Sequence, residues 1–155
     1  MNFTEWLDAH CLGWRQQAGP EIQVQHATGE VSSIWLREEA EPLPAGLAAV
    51  QDFYSHFDGA DLFSSTFKIC ALRRPKIRSG VELVPALAAF GIDAKAAGCE
   101  FPRGSVPFMV QAGIGVYAAA MSHSLIYEWD TEEGVMSGEY KGLVDILDEW
   151  VAAVG

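Results

Sequence analysis

The stretch Phe53-Tyr54-Ser55-His56-Phe57-Asp58-Gly59-Ala60-Asp61-Leu62-Phe63 constrains the fold most. It crowds aromatic rings, a glycine and several polar groups into one run, so the chain must bury rings and change direction there. At about 100° per residue, Leu47, Val50, Phe53, Tyr54 and Phe57 share one arc of a helix, and Gln51, Asp52, Ser55 and His56 lie away from it. Pro44 suits a first helical turn, where its missing N–H costs nothing. The expectation is a helix opening at Leu43-Pro44, an Asp58-Gly59 exit and turn, and re-entry into the core at Leu62-Phe63.

His56, Asp58 and Asp61 also make a credible metal-ligand set of one imidazole and two carboxylates. The helical projection turns His56 to the polar side, and the turn accounts for Asp58. A structural role therefore ranks first, with a metal-dependent enzyme or sensor using His56, Asp58 and Asp61 kept as an alternative.

The flanking segments supply the rest of a core. Thr4 can cap a first helix running to about Gln17, with Phe3, Trp6, Leu7, His10, Cys11 and Trp14 on one face and Gly19-Pro20 as its stop. His10 and Cys11 are adjacent and do not face each other on a helix, so packing explains them better than a nucleophile and its base. Ile22, Val24 and His26 alternate with polar residues as in a half-buried strand, Thr28-Gly29-Glu30 turns the chain, and Val31 to Leu36 returns it. His26 should then face inward as a hydrogen-bonded histidine. Phe67 to Leu72 makes a third strand, and Val81 to Phe90 a short helix. Val106–Gln111, Val116–Met121 and Ser124–Asp130 form an antiparallel meander. Gly113-x-Gly115 lacks the third glycine and following helix of a dinucleotide fingerprint, so it is a hairpin turn. In the last helix Tyr140, Leu143, Ile146, Leu147, Trp150, Val151 and Val154 share one face. The predicted class is α+β: a mostly antiparallel β-sheet flanked by helices, with amphipathic helices at both ends, in one domain spanning 1–155.

Charge bounds the function. With 155 residues and a formal net charge of -11, the chain repels nucleic acid and anionic membranes. The basic run Arg73-Arg74-Pro75-Lys76-Ile77-Arg78 is a loop that can pair with carboxylates. Cys11, Cys70 and Cys99 show no CxxC or zinc spacing and fit reduced thiols. The start of the chain lacks a signal-peptide pattern, and the apolar run Ala112–Met121 is too short for a membrane span. GxSxG, HExxH and P-loop motifs are missing. The expectation is a cytoplasmic protein with no cofactor, a monomer or weak dimer.

With these elements placed, Leu43-Pro44 before a helix, then Phe53-Tyr54 leading to Asp58-Gly59-Ala60-Asp61-Leu62-Phe63, resembles the central segment of the SUKH superfamily, which groups fungal cell-wall assembly regulators and bacterial immunity proteins. Ile126-Tyr127-Glu128-Trp129-Asp130 followed by Thr131-Glu132 resembles the family's late strand, and Glu149-Trp150-Val151 its terminal helix. The resemblance covers roughly residues 43 to 154 as scattered short motifs. It departs over Arg73 to Arg103, which is longer and more irregular than the family's compact sheet. The resemblance implies an α+β domain that binds protein and has no catalytic residues, and an immunity protein that neutralises a toxin. An acidic chain suits a basic toxin. Glu128, Asp130, Glu132 and Glu133, placed at the exposed end of a strand and its turn, are the candidate protein-binding residues. A small acidic secretion-type chaperone is the other non-catalytic reading.

Overall fold

The computed structural model describes residues 1–10, 13–37, 46–72, 84–99, 101 and 103–154. Among them, strands β1 (Arg15–Ala18), β2 (Glu21–Gln25), β3 (Val31–Leu36), β4 (Phe57–Leu62), β5 (Phe67–Ile69), β6 (Ser105–Gln111), β7 (Gly115–Ala120), β8 (Ile126–Asp130) and β9 (Val135–Tyr140) form one sheet in chain order. Every neighbouring pair is antiparallel. Helices α1 (Phe3–His10), α2 (Gln51–Tyr54), α3 (Leu87–Ala96) and α4 (Leu143–Val154) complete an α+β fold with helices at both ends.

The main core lies between one sheet face and α1, α2 and α4. Phe3, Trp6 and Leu7 of α1, Phe53 and Tyr54 of α2, and Leu143, Ile146 and Leu147 of α4 are buried in it. α1 is shorter than its apolar spacing suggests and starts earlier. Asn2 rather than Thr4 caps it: the Asn2 side chain accepts from Glu5 N–H at 2.8 Å and Glu5 returns the bond to Asn2 N–H at 3.1 Å. This is a capping box, with two otherwise orphaned donors satisfied reciprocally. Beyond His10 the chain becomes an edge strand, β1, instead of more helix. Trp14 is 40% exposed rather than core-facing. Trp6 Nε1 donates to Asp148 at 2.9 Å and ties α1 to α4.

Side chains directly opposite one another in a sheet share a face. One such row crosses the core face as Ile22, Ile34, Ala60, Ile69, Met109, Tyr117, Glu128 and Gly138. It is apolar up to Met109 and polar beyond. On the opposite face, Val110, Val116 and Trp129 form the next row, and α3 covers it with Phe90 and Ala94 beside Cys99 and Phe101.

The central stretch departs from its expected form. Within the described residues 46–56, a 3₁₀ turn (Ala48–Val50) and the one-turn α2 lead to Phe57, and Leu43-Pro44 lies outside the described residues. Asp58-Gly59 is not a turn between helix and strand but part of β4, whose six residues are all buried. Ile34 and Leu36 of β3 oppose Ala60 and Phe57, so β4 carries one extra residue there. That is a β-bulge, and Gly59 at φ +94° supplies the left-handed residue it needs. The Asp58 carboxylate accepts Leu72 N–H and so closes the end of β5. The third predicted strand shortens to β5, α3 lies later than expected, and β9 is an additional strand. The basic run 73–78 and the start of the helix expected at Val81 lie outside the described residues.

A Cβ on residue 59 would stand 3.1 Å from Ala71 N and Ile69 O. Gly59→Ala should therefore cost more than the roughly 1–3 kcal/mol of a strained backbone position. Gly134→Ala, at φ +69° with open space around it, isolates the backbone part. Urea unfolding should show a clearly lower midpoint for Gly59→Ala than for Gly134→Ala; equal midpoints would refute the bulge assignment.

Candidate functional site

Two polar arrangements sit inside the fold, both against the C-terminal half of α4 and sharing Trp150 as a neighbour. The first is built on His26. Its Nδ1 lies 3.0 Å from His10 O, and its Nε2 lies 2.7 Å from Ser32 Oγ. Ser32 Oγ also accepts Phe63 N–H at 2.9 Å. A carbonyl can only accept, so Nδ1 carries a proton and donates to His10 O; in the neutral ring Nε2 then accepts the Ser32 hydroxyl proton. In that arrangement the imidazole is neutral. Burial is the main reason the His26 pKa lies below its ordinary value; the His10 carbonyl opposes this and the His10 ring adds to it. Ser32 is fully buried, so this serine–histidine contact is scaffolding and not a reactive pair. It confirms the inward, hydrogen-bonded histidine expected at His26.

The relay positions Phe63. Phe63, Ser64 and Ser65 all have left-handed backbones, with φ of 52°, 52° and 72°. The turn is held by Phe63 N–H on Ser32, Ser64 N–H on Val31 O at 2.8 Å and the Thr66 hydroxyl on Phe63 O at 2.8 Å. The Phe63 ring lies 4.5 Å from His26 and 4.3 Å from Trp150 between centroids.

The second arrangement is centred on Glu128. Glu128 pairs with Tyr117 across β7–β8 and projects with it toward α4. Its carboxylate lies 2.7 Å from the Tyr117 hydroxyl, 2.7 Å from the Ser137 hydroxyl and 3.5 Å from that of Tyr140. Ser137 reaches it through a bulge: Glu128 opposes Gly138 and Trp129 opposes Met136, which leaves Ser137 as the extra residue of β9. Tyr117 is 2% exposed. Burial, then the bond to Glu128, push its phenol pKa far above the usual range. Burial and then the charges of Glu128 and Glu149 push Tyr140 up to about 12. Both phenols are thus protonated near neutral pH. Tyr117 has one proton, and its oxygen also lies 2.8 Å from the Gln111 side-chain amide. Donation to the carboxylate, the stronger acceptor, turns the Gln111 NH₂ toward the phenol.

The four candidate protein-binding residues therefore divide. Glu128 is half-buried and faces α4 rather than the exposed end of its strand. Asp130 accepts the N–H groups of Glu132 and Glu133 at 2.8 and 3.0 Å and so shapes the β8–β9 turn. Glu132 and Glu133 are exposed at its tip. Alternation along β8 does place Glu128 and Asp130 on one face, but that face is the one α4 covers. Sequence reasoning missed Tyr117, Ser137 and Tyr140. Their one signal was hydroxyl-bearing residues in adjacent strands, which shows only once the register is known.

His56, Asp58 and Asp61 are not brought together. His56 is exposed, Asp58 is held by Leu72 N–H, and Asp61 accepts the Ser65 hydroxyl at 2.9 Å. Among the described residues, no three His, Cys, Asp or Glu side chains converge on a metal position. No described helix is long and apolar enough to cross a membrane. Comparison with protein-family models, curated proteins and solved structures finds no match to the chain.

The neutral relay at His26 predicts a pH dependence. A histidine whose folded pKa is lowered binds fewer protons folded than unfolded, so its stabilisation is complete above about pH 6.5 and is lost as pH falls through the folded pKa. Urea unfolding between pH 8 and 5 should show stability falling on the acid side, by at most about 1.4 kcal/mol per pH unit for one proton. His26→Gln should be less stable at pH 7.5 and lose less on acidification. An unchanged acid slope in that variant would remove His26 from the account.

Proposed function

We propose that this chain is a non-enzymatic protein-binding module of the immunity type, which docks a basic partner at the end of the sheet where two turns meet. The observation that carries this reading is the surface around the β8–β9 turn. Thr131 N–H and its hydroxyl both reach Ile114 O at 3.4 Å, which ties the β6–β7 turn to the β8–β9 turn. Ile114, Val135 and Met136 are 49%, 48% and 46% exposed there. Glu132 and Glu133 are exposed at the turn beside them.

An apolar centre with a charged rim is the usual anatomy of a protein interface. β9 adds a second handle. Among the described residues it has a hydrogen-bonded neighbour on one side only, so its outer edge offers backbone groups to an added strand. The net charge of -11 favours a basic partner and speeds its encounter. The resemblance to SUKH proteins supports the same reading, with a toxin as the partner, an assignment that rests on the sequence motifs.

The test pairs the protein with the basic C-terminal domain of a toxin encoded in a neighbouring reading frame. Binding should be one to one, with an association rate that falls steeply with salt. The double variant Glu132→Lys/Glu133→Lys should slow association at low salt by at least tenfold and leave the melting temperature unchanged. Equal binding after this charge reversal would sink the proposal.

A further inference from the structure

A cavity of about 260 Å³ lies between the sheet and α4, and Glu128 forms part of its wall. Glu149 of α4 supplies a second carboxylate. Trp150, Phe67, Tyr117 and Tyr140 supply aromatic surface. The cavity opens past Ile114 and Glu149, both exposed. Its lining includes no lysine or arginine. Neither Arg15–Asp8 nor His10–Asp148, two ion pairs of the fold, includes a residue of this lining.

This wall is unusual for a chain to build for itself. Glu128 and Glu149 put two negative charges on the wall of one small space. Folded proteins offset such charge with a cation or with hydrogen bonds. Glu128 has hydroxyl donors from Tyr117, Ser137 and Tyr140, which offset its burial and fix its orientation but bring no positive charge to it. The Ser137 bulge brings the Ser137 hydroxyl to the carboxylate and so holds it in place. Trp150 is seated on Phe63, so the indole wall is fixed as well.

We infer that this cavity is a binding site for a guanidinium group on an alkyl stem, which would meet the carboxylates of Glu128 and Glu149 and lie against the ring of Trp150. The chemistry is specific to that cation. A guanidinium is planar, matches a carboxylate with a fork of donors, and stacks on aromatic faces. The volume is below the range of about 300–1,000 Å³ for drug-sized ligands, and it suits a single small cation. The guanidinium can come from a free small molecule or from an arginine side chain of a protein. The inference stands on the cavity itself and does not require docking at the β8–β9 turn.

The test titrates the purified protein with agmatine and with the end-blocked peptide Gly-Arg-Gly, each against a neutral counterpart: pentanol and Gly-citrulline-Gly. Binding is followed by NMR at the Trp150 indole N–H and the Ser137 amide. Saturable shifts are expected at both positions with at least one guanidinium probe and with neither neutral one. Tighter binding of agmatine assigns a free small cation, and tighter or equal binding of the peptide assigns an arginine side chain. Affinity should fall at least tenfold in Glu149→Gln, an exposed helix position that leaves the core intact, and at least tenfold in Glu128→Gln where that variant folds. Non-saturating shifts, equal response to the neutral probes, or full affinity in Glu149→Gln would overturn the inference.

Discussion

The structure depends on where the ring of Phe63 is held. Three consecutive left-handed residues without glycine cost roughly 1–2 kcal/mol each, and the chain accepts that strain at Phe63, Ser64 and Ser65. The compensation is local and specific. Ser32 and Val31 take two of the freed N–H groups, and the Thr66 hydroxyl returns to Phe63 O. In exchange the Phe63 ring sits among Trp6, His26 and Trp150. Aromatic pairs of this kind add about 0.5–1.5 kcal/mol each beyond burial. The ring therefore joins α1, the residue that follows β2, and α4 at one point. The seat of the last helix is set by a turn between two central strands, and neutral His26 is part of what holds that turn.

The sheet carries this placement to the polar end of the fold. Its strands pair in chain order, so each new strand adds to the edge left by the one before. A single row of side chains then runs from Ile22 to Gly138 under the helices. Where the row meets the main core it is Ile, Ala and Met. Beyond Met109 the cover is the C-terminal half of α4, which brings Glu149 and Trp150 over Tyr117 and Glu128. The change from apolar to polar along one row is the reason a cavity forms there instead of more core. Phe67 contacts both Tyr117 and Trp150, with centroids 6.3 and 6.0 Å apart, and marks the boundary.

What the sequence disclosed follows from the period of each element. Ile22 and Val24 alternate cleanly, and β2 is found there with those residues buried. Leu143, Ile146 and Leu147 keep helical spacing and are buried in α4. Asp58-Gly59 misled because a turn and a β-bulge ask the same thing of the chain, a residue with positive φ beside a small polar one. The distinction lies in what flanks the glycine, and here six consecutive buried residues make it a strand. β1 was hidden because its residues are all exposed and leave no apolar alternation. β9 was hidden because the Ser137 bulge and Gly138 break its period, and pairing with β8 defines it instead. For Glu128 the alternation gave the correct partition of β8 into two faces. It could not say which face a helix would cover, since that depends on residues far away in the chain.

The acidic surface consequently has two parts that differ in kind, although they are neighbours along one strand. Asp130 and Glu128 are two residues apart on the same side of β8, about 7 Å along the strand at the usual rise. Asp130 is spent on the backbone of Glu132 and Glu133 and so fixes the direction of an exposed turn. Glu128 is spent on hydroxyl groups and points into a cavity. Ile114 belongs to both, since its carbonyl anchors Thr131 and its side chain lies at the mouth beside Tyr117. A group arriving at the turn from outside thus meets exposed charge first, where attraction acts at long range but is screened by salt. Any cation it carries past Ile114 meets a second carboxylate pair in a less hydrated place, where the same charge acts more strongly and only a matching shape can exploit it.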